Sequence, residues 1–152
     1  MYYTPQRMHR FSPNTPPTCP RCRSVNGDLI HMFWKCTHLN SFWKNIYKYT
    51  SEILQKDILP DPRISVLGDV EMLKEFCKDE RKSILLITTA AKKCILTKWK
   101  DNQPPTLKQW WRELLSYSTS EKIMYNVKGK PMKFDRVWGR IINNIRNIEG
   151  KL

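Results

Sequence analysis

Apolar positions recur at helical spacing along most of the chain. From Ser41 to Leu54, Phe42, Ile46, Tyr49 and Ile53 fall on one stripe, widened by Trp43, Tyr47 and Leu54, with Lys44 and Lys48 opposite. Ser41 stands where a cap would open this helix. Asp79 to Lys100 predicts the longest helix, with Ile84, Ile87, Ala91, Cys94, Ile95 and Trp99 on one side and Lys92, Lys93 and Lys100 off it. Gln103-Pro104-Pro105 stops it. Thr106 to Gln109 reads as a capping box that opens a helix bearing Leu107, Trp110, Trp111, Leu114 and Leu115. Another helix is expected from Ser118 or Ser120, carrying Ile123 and Met124. After a basic turn at Lys128-Gly129-Lys130-Pro131 comes the cleanest pattern, Phe134 to Ile148. There Phe134, Val137, Trp138, Ile141, Ile142, Ile145 and Ile148 share a face opposite Lys133, Arg136, Arg140 and Arg146.

Two stretches are less regular. Pro60 and Pro62 close the first helix, and Ile64 to Leu67 is an apolar run, read as a strand or an extended packing segment that Gly68 ends. Glu71 to Lys78 predicts a short acidic helix with Leu73 and Phe76. Residues 1–18 carry no apolar period. Pro5, Pro13, Pro16 and Pro17 make residues 1–18 an extended, basic lead-in with Arg7, His9 and Arg10, the continuation of a longer chain. No internal repeat is visible. The fold class is mainly α, with a lead-in (1–18), a small metal-stabilised module (19–40) and a helical domain (41–148).

Composition adds a partner class. Of 152 residues, 40% are hydrophobic, enough for a core, and the net charge is +13. The charge is blocked. Residues 1–48 carry seven Lys/Arg against one acid, 49–80 four against eight, and 81–152 sixteen against five. Two basic flanks around an acidic middle favour a polyanionic partner. No run approaches the ~20 apolar residues that cross a bilayer, and Met1-Tyr2-Tyr3 leads into a Pro-rich basic stretch rather than a signal peptide. Five cysteines without such a signal argue against a secreted disulfide framework. Cys77 and Cys94, isolated in helical patterns, read as buried free thiols.

The other three cysteines carry the strongest local signal. Cys19, Cys22, His31 and Cys36 stand at C-x2-C-x8-H-x4-C. A Cys-x-x-Cys turn presents two thiolates to one ion, and a His and a Cys from the next segment complete a tetrahedron. Asn26-Gly27 predicts a turn that folds Leu29 to Lys35 back onto the first pair. His38 is the alternative to His31, but only two residues separate it from Cys36. A redox role for Cys-x-x-Cys needs a βαβ setting that the pattern does not supply. The expected cofactor is structural zinc, with four protein ligands and no water.

Arg21, Arg23 and Lys35 sit beside these ligands and, with Arg7 and Arg10, are candidate phosphate contacts. Lys92, Lys93, Lys128, Lys130 and Lys133 form a second candidate patch. Phe33-Trp34 and Phe42-Trp43 could stack on unpaired bases, but they read as core above the metal module, as do Trp99, Trp110, Trp111 and Trp138. No phosphate loop, His–Glu metalloprotease pair, nucleophile elbow or two-metal carboxylate pair is present. Catalytic residues are therefore not expected.

In order, Thr4-Pro5, Arg7, His9, the Cys19-Pro20-Arg21-Cys22 turn, Gly27, His31, Trp34, Cys36 and Phe42-Trp43 resemble the end of open reading frame two of LINE-type (non-LTR) retrotransposons. Pro62 to Gly68, Ala90-Ala91, Trp99-Lys100, Pro104-Pro105-Thr106, Trp110, Glu121, Phe134 and Trp138 extend the similarity from about Tyr3 to Ile142. The resemblance implies a region that follows a reverse transcriptase domain and binds nucleic acid, the element RNA, with the polymerase domain of the same protein as a further partner. It implies an intracellular location, in cytoplasm and nucleus, and zinc held at Cys19, Cys22, His31 and Cys36. The Tyr-x-Asp-Asp polymerase motif and the endonuclease are absent from the sequence, so the resemblance implies neither polymerisation nor cleavage. The alternative reading is a docking module that packs on the polymerase without binding nucleic acid itself.

Overall fold

The structure, a computed structural model, describes residues 2–150. Five α-helices carry the fold: α1 (Pro5–Phe11), α2 (Asn40–Leu54), α3 (Lys78–Thr97), α4 (Leu107–Val127) and α5 (Pro131–Glu149). Among the described residues the only β pairing is a single bridge, Thr18 to Asn26. The mainly α class therefore holds.

Helix α3 is the central element and packs against α2, α4 and α5. Its neighbours lock onto it through the positions the stripe picked out, since Ile84, Ile87, Ala91, Cys94 and Ile95 are all buried, and Ala90 joins them. Burial in this apolar setting pushes the Cys94 thiol up to about 12. Ala90 and Ala91 place no bulk in the crossing, so α4 approaches closely enough for the Trp110 indole N–H to donate to the Ile87 carbonyl at 3.1 Å. The α5 stripe closes the other side, with Trp138 and Ile141 fully buried. The Trp138 indole N–H donates to the Glu121 carboxylate at 3.1 Å, and Lys82 pairs with the same carboxylate at 3.2 Å. Lys82 also donates to the Tyr125 hydroxyl. One half-buried acid thus ties α3, α4 and α5 together.

Several expectations are corrected. Residues 1–18 are not uniformly extended, because Thr4 caps α1 by accepting from the Arg7 N–H at 3.2 Å and Pro5 stands at its first position. Proline is at home there, since its missing N–H would have no helical partner. Ser41 does not cap α2; the helix follows a 3-10 turn at Thr37–Leu39 and has no side-chain cap. Ile64 to Leu67 is neither strand nor extended. Arg63–Leu67 is a wide π-type helical turn that Gly68 ends at φ 65°. Pro62 and Gly68 are helix punctuation, and the Tyr47 hydroxyl reaches the turn to bond Ser65 at 2.6 Å. The acidic helix at Glu71 to Lys78 is only a 3-10 turn, Val70–Leu73. Helix α4 runs unbroken through Ser118 and Ser120, where hydroxyls bond back to the Leu115 and Ser116 carbonyls instead of capping a new helix. Cys77 is exposed rather than buried.

The N-terminal segment is fastened to this bundle through one continuous core. Cys19, Met32, Cys36 and Leu39 share it with α2 and α3 residues. The Trp43 indole donates to the Phe33 carbonyl at 2.8 Å, and the Trp99 indole to the Tyr3 carbonyl at 2.6 Å. Where α1 crosses Gly27, a Cβ on that glycine would come 2.8 Å from the Pro5 ring. Gly27→Ala is therefore expected to lower stability by about 1–3 kcal/mol, as overpacking does. Urea unfolding would measure it, and an unchanged midpoint would show that the contact is slack.

Candidate metal centre

Local backbone chemistry builds the site in two halves. In the first, the Arg23 N–H donates to the Cys19 carbonyl and the Cys19 N–H to the Val25 carbonyl, both at 2.9 Å. Arg23 takes φ 57° to close this turn, which lays Cys19 and Cys22 on one side. In the second half, Asp28 accepts from the His31 N–H at 2.8 Å and starts a π-type turn, His31–Lys35. Residues five apart on an α-helix point about 140° from one another. The wider turn, closed by the Cys36 N–H on the His31 carbonyl at 3.1 Å, brings His31 and Cys36 to the same side.

The four ligand atoms of Cys19, Cys22, His31 and Cys36 lie within 4.8 Å of one another. Cys19 Sγ is 3.8 Å from Cys36 Sγ, and Cys22 Sγ is 3.4 Å from His31 Nε2. With metal–ligand bonds of about 2.0–2.3 Å, a tetrahedron requires about 3.8 Å between sulfurs and about 3.5 Å between sulfur and nitrogen. The donor set and these two separations suit one ion held by four protein ligands. Cys19, His31 and Cys36 are buried and Cys22 is half-buried. His38 is exposed and outside the cluster, whereas His31 lies within it.

The two halves differ electrostatically. Burial raises the Cys19 thiol, opposed by the Cys22 and Arg21 backbone N–H groups and by the Arg21 charge. Burial acts upward on Cys22 too, but the Ser24 hydroxyl, the Ser24 and Val25 N–H groups and His31 outweigh it and bring that thiol down to about 6. The Cys-x-x-Cys turn thus holds one thiol ready for ligation at neutral pH.

The candidate phosphate contacts separate sharply. Arg7, Arg10, Arg23 and Lys35 are exposed. Arg21 is not; it is 4% exposed and donates to the Met32 carbonyl at 2.6 Å, linking the two halves of the site. Its remaining guanidinium nitrogens, Nε and Nη1, are buried without oxygen partners. Arg21 is therefore placed as a counter-charge to the cysteines rather than as a phosphate contact; three thiolates and a neutral imidazole around a dication would leave about −1 for it to offset. Arg21→Gln is expected to weaken metal binding about 10–100-fold, the usual effect of losing such a partner. Competition with a chromophoric chelator would measure it, and parental affinity would remove this role.

The second patch is not one surface. Lys92 is half-buried and donates to the Val66 carbonyl at 3.3 Å, and burial lowers its ammonium. Lys93 pairs with Glu113 at 2.9 Å. Lys128 and Lys130 are exposed beyond the end of α4 and Lys133 is half-buried on α5. Lys128 stands about 22 Å along the α4 direction from Glu113. The aromatic pairs fall as core: Phe42, Trp43, Trp99, Trp110, Trp111 and Trp138 are buried, and Phe33 and Trp34 are half-buried against them.

Sequence reasoning missed Asp28, whose side chain starts the His31 turn, and the part played by Tyr3, whose carbonyl receives Trp99. Asp28 three residues before His31 is a capping signal that the metal spacing overshadowed. Among the described residues, no helix is long and apolar enough to cross a membrane. No protein-family model matches the chain.

Proposed function

We propose that this chain binds nucleic acid through a zinc-stabilised basic module and that it is the C-terminal part of a non-LTR retrotransposon reverse transcriptase protein. The carrying observation is the cluster of three cysteines and one histidine within 4.8 Å. Zinc suits three thiolates and an imidazole in a closed tetrahedron, and such a site is structural rather than hydrolytic. Around it Arg7, Arg10, Arg23 and Lys35 are exposed on a chain of net charge +13. The partner is element RNA or another single strand, and the protein acts by binding, with cytoplasm and nucleus as its compartments.

The order of resembling motifs supports the family reading. Those residues meet one another in the fold: Thr4 caps α1, Pro5 lies on Gly27, Trp99 bonds the chain at Tyr3, and Trp138 bonds Glu121. A docking module on the polymerase is the second reading. It is favoured by exposed Ile123, Val127 and Met132 around the turn between α4 and α5.

The test is binding of RNA by the folded, metal-loaded protein as salt is raised. Four phosphate contacts predict that log K falls with log salt at a slope of about −2.8 for a single strand. Undetectable binding at low salt by folded protein would overturn the nucleic-acid reading and leave docking.

A further inference from the structure

Beside the metal centre lies an apolar trough that shares only Arg23 with the phosphate contacts above. It has two connected parts. One, about 510 Å³, runs between α1, the Cys19–Arg23 turn and the end of α3. The other, about 540 Å³, continues along α3 to Tyr2. Tyr3, Met8, Trp99 and Lys100 line both, so the two are one concave strip. Both volumes fall in the range of about 300–1,000 Å³ usual for ligand pockets.

The order of chemistry along the strip is informative. At one end the Tyr2 ring is 61% exposed and stands edge-on to Trp99, with centroids 6.3 Å apart. At the junction Lys100 is exposed, the part beside α1 is lined by Pro5, Met8 and Pro20, and Arg23 is exposed at its rim. Among the described residues that line it, none is acidic. Ring, cation, apolar floor, cation is the alternation that a strand of unpaired nucleotides presents in base and phosphate.

We propose that this trough binds an unpaired stretch of nucleic acid, one base lying on Tyr2, the next on the Pro5–Met8 floor, and their phosphates on Lys100 and Arg23. The proposal rests on the nucleic-acid reading above and names the site within it. Charge complementarity selects the occupant, since two cations without a carboxylate oppose a basic segment and match a polyanion. Concavity selects the unpaired form, because a duplex keeps its base faces stacked inside.

The experiment uses the full metal-loaded chain and single-stranded RNA containing 2-aminopurine, whose fluorescence falls on stacking. Parental protein is expected to quench it, and the matching duplex is expected not to compete. Tyr2→Ala is expected to weaken binding about tenfold and relieve quenching, as loss of one stacked base does. Lys100→Ala with Arg23→Asn is expected to reduce the salt slope by about 1.4, two single-strand contacts. Asn tolerates the positive φ at position 23, so the guanidinium is removed without straining the turn. Lys48→Ala, on α2, is expected to leave quenching intact. If RNA binds but both trough variants match the parent, the trough is overturned and the nucleic-acid reading stands. Should the parent bind no RNA, both fall.

Discussion

Removing the metal is expected to release residues 4–39 from the bundle while α2 to α5 stay folded. The reason is the distribution of apolar burial. Among residues 4–39, Cys19, Met32, Cys36 and Leu39 join the buried core, and two of these belong to the candidate metal cluster. Helix α1 buries none of its side chains fully. A segment with so little core is expected to depend on a bound ion for its fold, and structural zinc supplies about 10–16 kcal/mol in small zinc-binding peptides. The bundle has its own interior at Ile84, Ile87, Trp110, Leu114, Trp138 and Ile141. Hydrogen exchange would read the difference. The Cys19, Arg23, Gly27, Met32 and Cys36 amides, all bonded to backbone carbonyls, should lose protection on chelation or in Cys22→Ser. Amides of α3 and α5 should keep theirs. Unchanged protection at Met32 and Cys36 after chelation would mean that packing alone holds the module.

The second large effect is expected at Trp138. It is fully buried against Phe134, with rings stacked at 6.2 Å between centroids, and it bonds Glu121. Trp138→Ala should cost about 3–5 kcal/mol, the transfer and cavity terms together. Trp138→Phe keeps most of the volume and removes the indole N–H. Its cost should be smaller, about 1–3 kcal/mol, because Glu121 retains Lys82 as a partner. Urea denaturation of both variants separates packing from hydrogen bonding. Equal losses would assign the whole effect to the Glu121 bond, and an alanine cost below about 1 kcal/mol would show that the site collapses.

Long stripes were legible in the sequence. The faces assigned to α2, α3 and α5 are the buried faces, because burial in a helical bundle is periodic and the period is written in residue type. The capping box at Thr106 and Gln109 forms as its spacing predicts. Short elements were less legible. Pro5 reads as a helix breaker by composition and serves as a helix starter once Thr4 supplies the cap. Ile64 to Leu67 suits a strand by its side chains, while its helical turn is decided by Pro62, Gly68 and a distant hydroxyl on Tyr47. Serines in α4 look like starts because their cap and interior uses differ only in which carbonyl or N–H is near.

The Cys19, Cys22, His31 and Cys36 cluster was legible because four chemically special residues with fixed spacing leave few solutions. The wide turn that unites His31 with Cys36 could have been anticipated from their five-residue offset, which an α-helix cannot serve. Basic contacts were the least legible part. Charge in a sequence says nothing of direction, and Arg21, Lys92 and Lys93 turn toward a carbonyl or a carboxylate within the protein. What remains exposed around the clip is a smaller and more specific set.

X-ray absorption at the zinc edge, on protein purified without added metal and reconstituted with one equivalent of zinc, would read the ligand shell itself. A closed clip formed by Cys19, Cys22, His31 and Cys36 predicts a four-coordinate shell of three sulfurs at about 2.3 Å and one nitrogen at about 2.0–2.1 Å. A shell containing oxygen from water, or fewer than three sulfurs, would contradict it.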